Sequence, residues 1–257
     1  MGSAPPSRPR TLRRGLALAA LAASLWALGV FVPLPRILLL RLGPPRTTAF
    51  IEARKARLRS EGKPDTIDRR PVPLASVSEN LVRAVLAAED ARFLSHAGID
   101  WEAVQEARRF NRRQATRRRP KVRGASTITQ QLAKNLFLSP ERSLWRKGRE
   151  AAIALALELV LPKQKILEHY LSAIEWGERT YGCEAAARTT FGVSAGRLTP
   201  SQAATLAAMI PNPVWYRAHP ERLQRRAQRI AFRAARERPD LDLLEDDDLP
   251  DDEPSAR

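Results

Sequence analysis

From residue 15 to residue 35 the chain carries no charged side chain. The run GLALAALAASLWALGVFVPLP matches the ~20 consecutive apolar residues that an α-helix needs to cross a bilayer core. Arg8, Arg10, Arg13 and Arg14 precede it, so a cleaved signal peptide is the alternative, but the run is longer than the ~7–15 residues of an ordinary signal-peptide core. The reading is therefore a retained single-pass anchor in the cytoplasmic (inner) membrane. Either version sends the rest of the chain to the outer, periplasmic side. Arg36, Arg41 and Arg46 nearly balance the N-terminal arginines, so charge asymmetry alone fixes the orientation weakly.

The remainder is of a size for one folded domain. Apolar residues cluster at helical rather than alternating spacing, so the expected class is mainly α. The expected boundaries are a basic cytoplasmic N-terminus (1–14), a transmembrane anchor (15–35), a Pro- and Arg-rich stalk (36–75), the folded domain (76–238) and an acidic, disordered tail (239–257). A net charge of +16 attracts polyanions, whether nucleic acid, anionic lipid or a diphosphate. The anchor removes the domain from the cytoplasm and so argues against nucleic acid. A single cysteine, Cys183, excludes an internal disulfide framework and a multi-cysteine zinc site, and its expected role is a small buried apolar residue. His96, His169 and His219 have no zinc-like spacing, so no protein-held metal is expected.

Several helices can be read directly. Ser78 caps SENLVRAVLAAED, whose Leu81, Val82, Val85 and Leu86 share one face and which delivers Glu89 and Asp90 at its end. Asp100 caps WEAVQEARRF, and the basic stretch up to Arg123 reads as a solvated surface loop. In GASTITQQLAKNLFL, Thr127, Gln131 and Lys134 project onto one arc, with Ile128, Leu132 and Leu136 on the other side. The small residues Gly124, Ala125 and Ser126 precede that helix, where a ligand can approach the backbone and free N–H groups attract anions. In RKGREAAIALALELVL, Glu150 lies one turn from Arg146 and three residues from Lys147, and the helix beyond Ala151 is apolar nearly all round, which predicts burial. Pro162 separates it from KQKILEHYLSAIEWG, with Ile166, Leu167, Tyr170, Leu171 and Ile174 as a buried stripe. Thr199, Pro200 and Gln202 form a capping box for the next helix. An Arg-rich amphipathic segment near 220–237 is expected to pack on the domain or lie on lipid. Taken singly, each of these features also fits a surface helix, a helix-entry ion pair or a solvated loop.

Taken in order, EDARFLSHAGID, RGASTITQQLAKNLFL, RKGRE, KILEHYLSAIEWG and YGCEAAARTTFG resemble the successive motifs of glycosyltransferase family 51, in particular its monofunctional peptidoglycan transglycosylases, over residues 71–216. The resemblance implies a lysozyme-like helical fold, a hydrophobic membrane-embedded jaw reached through the 36–75 segment, and lipid II with the growing glycan strand as substrate. Membrane lipid and other cell-wall synthesis proteins are the further partners it implies. It makes Glu89 and Glu150 the catalytic carboxylates. Asp90, Phe93, His96, Ser126, Thr127, Gln131, Lys134, Asn135, Arg146 and Lys147 are the substrate-binding candidates, with Asp90 and His96 holding the loop that positions Glu89. Glu89 would deprotonate the acceptor's 4-hydroxyl, and the cations would neutralise the departing diphosphate. No cofactor is required, although a divalent cation such as Mg has chemistry suited to the diphosphate. The chain departs from the family pattern at Ser172 (usually Asn), Thr190 (usually aromatic) and Ala125 (usually Gly), which leaves every carboxylate in place. The competing readings are a lytic, lysozyme-like enzyme that cleaves peptidoglycan and a non-catalytic anchored protein that binds the envelope.

Overall fold

The computed structural model describes residues 32–117, 122–141, 143–237 and 239–244. Most of the expected anchor, the basic N-terminus and most of the acidic tail lie outside them. Among the described residues no helix is long and apolar enough to cross a membrane.

The fold is mainly helical. One group of helices comprises α1 (Leu34–Leu39), α2 (Ala49–Ser60), α5 (Ile128–Phe137), α6 (Leu144–Val160) and α7 (Lys163–Ala173). The other comprises α3 (Glu79–Glu89), α9 (Pro200–Met209), α10 (Pro213–Arg217) and α11 (Pro220–Arg236). α4 (Trp101–Gln114) and α8 (Cys183–Phe191) complete the helices of the domain. In the first group α5 packs on both α6 and α7, and in the second α9 packs on α3 and α11. Five alanines make this last contact close: Ala203, Ala204, Ala207 and Ala208 on α9 and Ala227 on α11 are buried. Such small side chains let neighbouring backbones approach. The stripe of Ile166, Leu167, Tyr170, Leu171 and Ile174 is buried, as are Leu81, Val82, Val85, Leu86 and Cys183.

The caps form as the sequence dictates. Ser78 accepts from Asn80 N–H, Asp100 from Ala103 N–H, and Thr199 with Gln202 makes a reciprocal capping box. Each satisfies an N–H that the first helical turn leaves without an internal partner.

Four expectations are corrected. Residues 36–75 do not hang as a stalk but are folded onto the domain. Ile37, Leu40, Ile51 and Leu58 are buried, His169 Nε2 lies 2.8 Å from Leu40 O, and Arg69 donates to Ser172 O at 2.9 Å and to Pro45 O at 2.6 Å. The buried positions are so sparse among prolines and arginines that they leave no periodic signal. A small sheet also appears, with β2 inside the expected KQKILEHYLSAIEWG helix: β1 (Asp68–Arg69) pairs parallel to β3 (Thr180–Tyr181), which pairs antiparallel to β2 (Glu175–Gly177). Gly182, at φ +84°, ends it where a Cβ would meet Ser172 O at 3.1 Å. The basic stretch after Phe110 is helical as far as Gln114, which is buried, rather than loop throughout. Finally, α6 is not buried all round, since Leu155 is 44% and Leu159 87% exposed.

Candidate active site

Glu89 is the last residue of α3, with Asp90 as its C-cap. The two adjacent carboxylates do different work. Asp90 turns inward: its Oδ2 accepts the N–H of Ile128 at 2.9 Å, and both its oxygens lie 3.1 Å from His96 Nε2. It therefore ties the end of α3 to the start of α5 and to the loop beyond. Glu89 faces the cleft. Its Oε2 accepts from Gln131 Nε2 at 2.9 Å, and Gln131 is itself held by the hydroxyl of Tyr170, which donates to Gln131 Oε1 at 3.2 Å. Its Oε1 lies 3.5 Å from Arg226 Nη2 on α11. Burial pushes the Glu89 carboxyl above its ordinary value, while Gln131, Arg226 and Lys134 pull it back. A carboxylate raised in this way accepts a proton more readily near neutral pH.

Around it lies a cleft of about 840 Å³, lined by Glu89, the Gly124–Ala125–Ser126 segment, Gln131, Arg123 and Arg226 among others. The second constellation enters through Ser126, whose hydroxyl accepts from Lys147 Nζ at 3.0 Å. Lys147 and Arg146 share Glu150: Arg146 Nη1 donates to Oε2 at 2.8 Å, and Lys147 pairs with Oε1. The Glu150 side chain is only 4% exposed, against 17% for Arg146 and 45% for Lys147. Lys134 connects the two centres. Burial lowers the affinity of its amine for a proton, Glu150 and Glu89 both counteract this, and Arg146 and Lys147 add to it. One lysine thus stands within electrostatic reach of both carboxylates and both other cations. It also lies 5.5 Å from the centroid of the Phe50 ring, which stabilises the charge where water is scarce.

Among the substrate-binding candidates, Ser126, Gln131, Lys134, Arg146 and Lys147 gather around these two carboxylates, and the side chains of the other five are buried or bonded within the protein. Asp90 and His96 are bound to each other within the protein, in keeping with the loop-holding role. Phe93 is fully buried, edge-on to His96 and under the amine of Lys163, 4.5 Å from its centroid. Thr127 caps α5, donating to Gly98 O at 2.6 Å and accepting from Gln130 N–H, so its hydroxyl is spent within the protein. Asn135 donates to Gln131 O at 2.8 Å and is buried. The start of α5 is also no open anion site, because Asp90 and Thr127 already take the N–H groups of Ile128 and Gln130. A helical projection cannot tell a residue facing a cleft from a cap facing the core.

The residue that sequence reasoning missed is Arg226. It is one of several arginines on α11, and the signal that could have found it is a helical projection, which puts it nearer than the others to the apolar stripe of Leu223, Ala227 and Ile230. Among the described residues no group of three or more His, Cys, Asp or Glu side chains is placed to hold a metal ion.

Comparison with known proteins agrees with this arrangement. The profile of the transglycosylase family matches residues 56–235. Proteins named biosynthetic peptidoglycan transglycosylase are similar over most of their length. That of Bordetella pertussis is 49% identical over 175 residues, 68% of this chain and 72% of its own. That of Thiobacillus denitrificans is 46% identical over 210 residues, 82% of this chain and 88% of its own. That of an Azoarcus species is 45% identical over 232 residues, 88% of this chain and 97% of its own. With Glu89 and Ser126 lining one cleft, with Ser126 joined through Lys147 to the Glu150 cluster, and with the family profile spanning all of them, this chain belongs to the transglycosylase family.

Proposed function

We propose that this enzyme is a peptidoglycan glycosyltransferase that polymerises lipid II into β-1,4 glycan strands, with inversion at the donor sugar and release of undecaprenyl diphosphate. Glu89 takes the proton from the acceptor's 4-hydroxyl as that oxygen bonds to the donor's anomeric carbon. The bond from that carbon to the lipid diphosphate breaks, and the diphosphate leaves as an anion. A diphosphate needs no proton in order to leave, unlike the alkoxide released in glycoside cleavage. Cations take the place of the second acid: Lys134, Arg146 and Lys147 receive the developing charge, and Glu150 holds them in place until it arrives. On this reading no cofactor is required.

The observation that carries the proposal is that α5 carries both Lys134 and Gln131, which holds Glu89 at 2.9 Å, while Ser126, just before the same helix, accepts from Lys147 of the Glu150 cluster at 3.0 Å. It supports a site in which base and leaving-group binder act on one molecule. The same cluster argues against a lytic activity, since a neutral glycan has no diphosphate to neutralise.

The envelope is the setting of this chemistry, and we place the enzyme in the cytoplasmic membrane with its domain outside. Support comes from the uncharged run at residues 15–35 and from the surface that follows it. Leu38, Leu39 and Leu42 are 52%, 61% and 85% exposed, and α6, on which α1 packs, exposes Leu155 and Leu159. Large exposed apolar residues on adjacent elements mark surfaces that meet lipid or protein.

The test is conversion of labelled lipid II to polymer by detergent-solubilised protein. Glu89→Gln is expected to keep the fold and lipid II binding while losing about 10²- to 10⁴-fold in rate, the usual contribution of a general base. Near-normal polymer formation by that variant would remove Glu89 as the base.

A further inference from the structure

Arg226 belongs to α11, a helix that the chemistry above does not use. Most arginines of that helix point to solvent: Arg225, for example, is 56% exposed and pairs with Glu221 one turn earlier. Arg226 is different. Its side chain is 26% exposed, its guanidinium lies 5.9 Å from the centroid of the Tyr216 ring, and it lines the cleft beside Glu89. Its Nε is buried and makes no hydrogen bond among the described residues, so the contact of Nη2 with Glu89 is the polar contact they give its guanidinium.

We propose that Arg226 is a positioning residue for Glu89, holding one carboxylate oxygen in register for the acceptor hydroxyl and supplying counter-charge across the cleft from α11. The inference rests on Glu89 being the base. Two partners fix the carboxylate from opposite sides, Gln131 at 2.9 Å on Oε2 and Arg226 at 3.5 Å on Oε1. The difference between those distances has a chemical meaning. A short bidentate guanidinium pair would occupy the lone pairs that must accept the proton and would weaken the base. A single long contact leaves Oε1 free to face a hydroxyl while the positive charge stays near enough to matter. Tyr216 and the packing of α11 on α3 and α9 keep the guanidinium at that remove.

The charged and titratable groups facing Glu89 are Asp90 on its own element, Lys134 on α5, Tyr170 on α7 and Arg226 on α11. Asp90 opposes ionisation and the two cations favour it. Burial drives Tyr170 well above its ordinary range, and it stays neutral. Removing Arg226 leaves Lys134, shared with Glu150, as the remaining cation of that set. Glu89 then holds its proton to higher pH, and because the base works deprotonated, the acid limb of the rate profile moves upward.

The test is the pH dependence of lipid II polymerisation by the full chain in detergent, for wild type, Arg226→Gln, Arg226→Lys and Arg225→Gln, with thermal unfolding recorded for each. An opposite charge within ~4–6 Å shifts a carboxyl by about 1–3 units. The acid limb of Arg226→Gln is therefore expected to rise by about one unit, losing roughly tenfold below it and recovering above it, with KM little changed. Arg226→Lys should restore the limb in part, and Arg225→Gln should leave the profile where it was. A limb in Arg226→Gln that coincides with wild type, whatever the overall rate, overturns the inference. If Arg226→Gln does not fold, an Arg226→Lys limb shifted upward in part supports the inference, and an unshifted one overturns it. Glu89→Gln run alongside separates the two claims: an active Glu89→Gln variant defeats the base assignment itself, whereas an inactive one beside an unmoved limb defeats only the role of Arg226.

Discussion

Replacing Glu150 by the isosteric glutamine removes one negative charge from the centre of three positive ones. In the folded protein its two oxygens are divided between Arg146 and Lys147, and its side chain is 4% exposed. Breaking a buried ion pair by neutralising one partner costs about 3–5 kcal/mol, chiefly because the other charge is left without compensation. Here the cost is smaller, because Lys147 is 45% exposed and can turn to water. Arg146, at 17%, and the half-buried Lys134 cannot do so as readily. About 2 kcal/mol is a reasonable expectation, equivalent to a fall of roughly 4–8 °C in Tm for a domain of this size. The deficit is electrostatic, so a small anion that enters the cluster should repair it. Inorganic pyrophosphate has the charge and size of the leaving group, and a ligand at a hundred times its Kd stabilises a fold by about 2.7 kcal/mol. In the wild type the anion competes with Glu150 for the cations, and in Glu150→Gln it does not. Thermal unfolding across a pyrophosphate titration should therefore show a variant that starts below wild type, responds at lower concentration and gains more. A Glu150→Gln protein as stable as wild type, with an equal or smaller response to pyrophosphate, would refute the account of Glu150 as the holder of a diphosphate-binding cluster.

Two further outcomes are expected. Because burial raises the Glu89 carboxyl, it binds its proton more tightly folded than unfolded; the stability it adds is complete below the unfolded carboxylate's value of about 4.3 and is lost as pH rises through the raised folded value. Glu89→Gln, which cannot ionise, should match wild type in Tm near pH 4 and exceed it increasingly toward pH 7, and a gap independent of pH would contradict this. Asp90→Ala leaves the buried N–H of Ile128 and the ring of His96 without their acceptor and should cost about 2–4 kcal/mol in urea unfolding, with m unchanged and Asp90→Asn costing less.

The amino-acid sequence determines most of the secondary structure and the order of the motifs, because the information is local. A serine or aspartate before an apolar stripe, a proline at a first turn and a Thr-Pro-x-Gln box each act within a few residues, and the caps at Ser78, Asp100 and Thr199 form where they are written. Spacing of i, i+3 and i, i+4 on one helix groups Gln131 with Lys134 and Arg146 and Lys147 with Glu150, and the resemblance of the ordered motifs marks these and Glu89 as candidates. Direction was not legible: Thr127 falls on the same projected arc as Gln131, yet its hydroxyl is consumed at the cap. Nor were contacts between distant segments. Residues 36–75 read as linker because isolated apolar residues among prolines carry no period, and only the hydrogen bonds from His169 and Arg69 show that they belong to the domain. Arg226 stands 137 residues from Glu89, and its place beside the apolar stripe of α11 says that it lies near the domain but not what it meets. Periodicity sets which arginine of an amphipathic helix lies beside the domain, but tertiary packing alone decides that it meets Glu89, because that partner is supplied by the position of another helix.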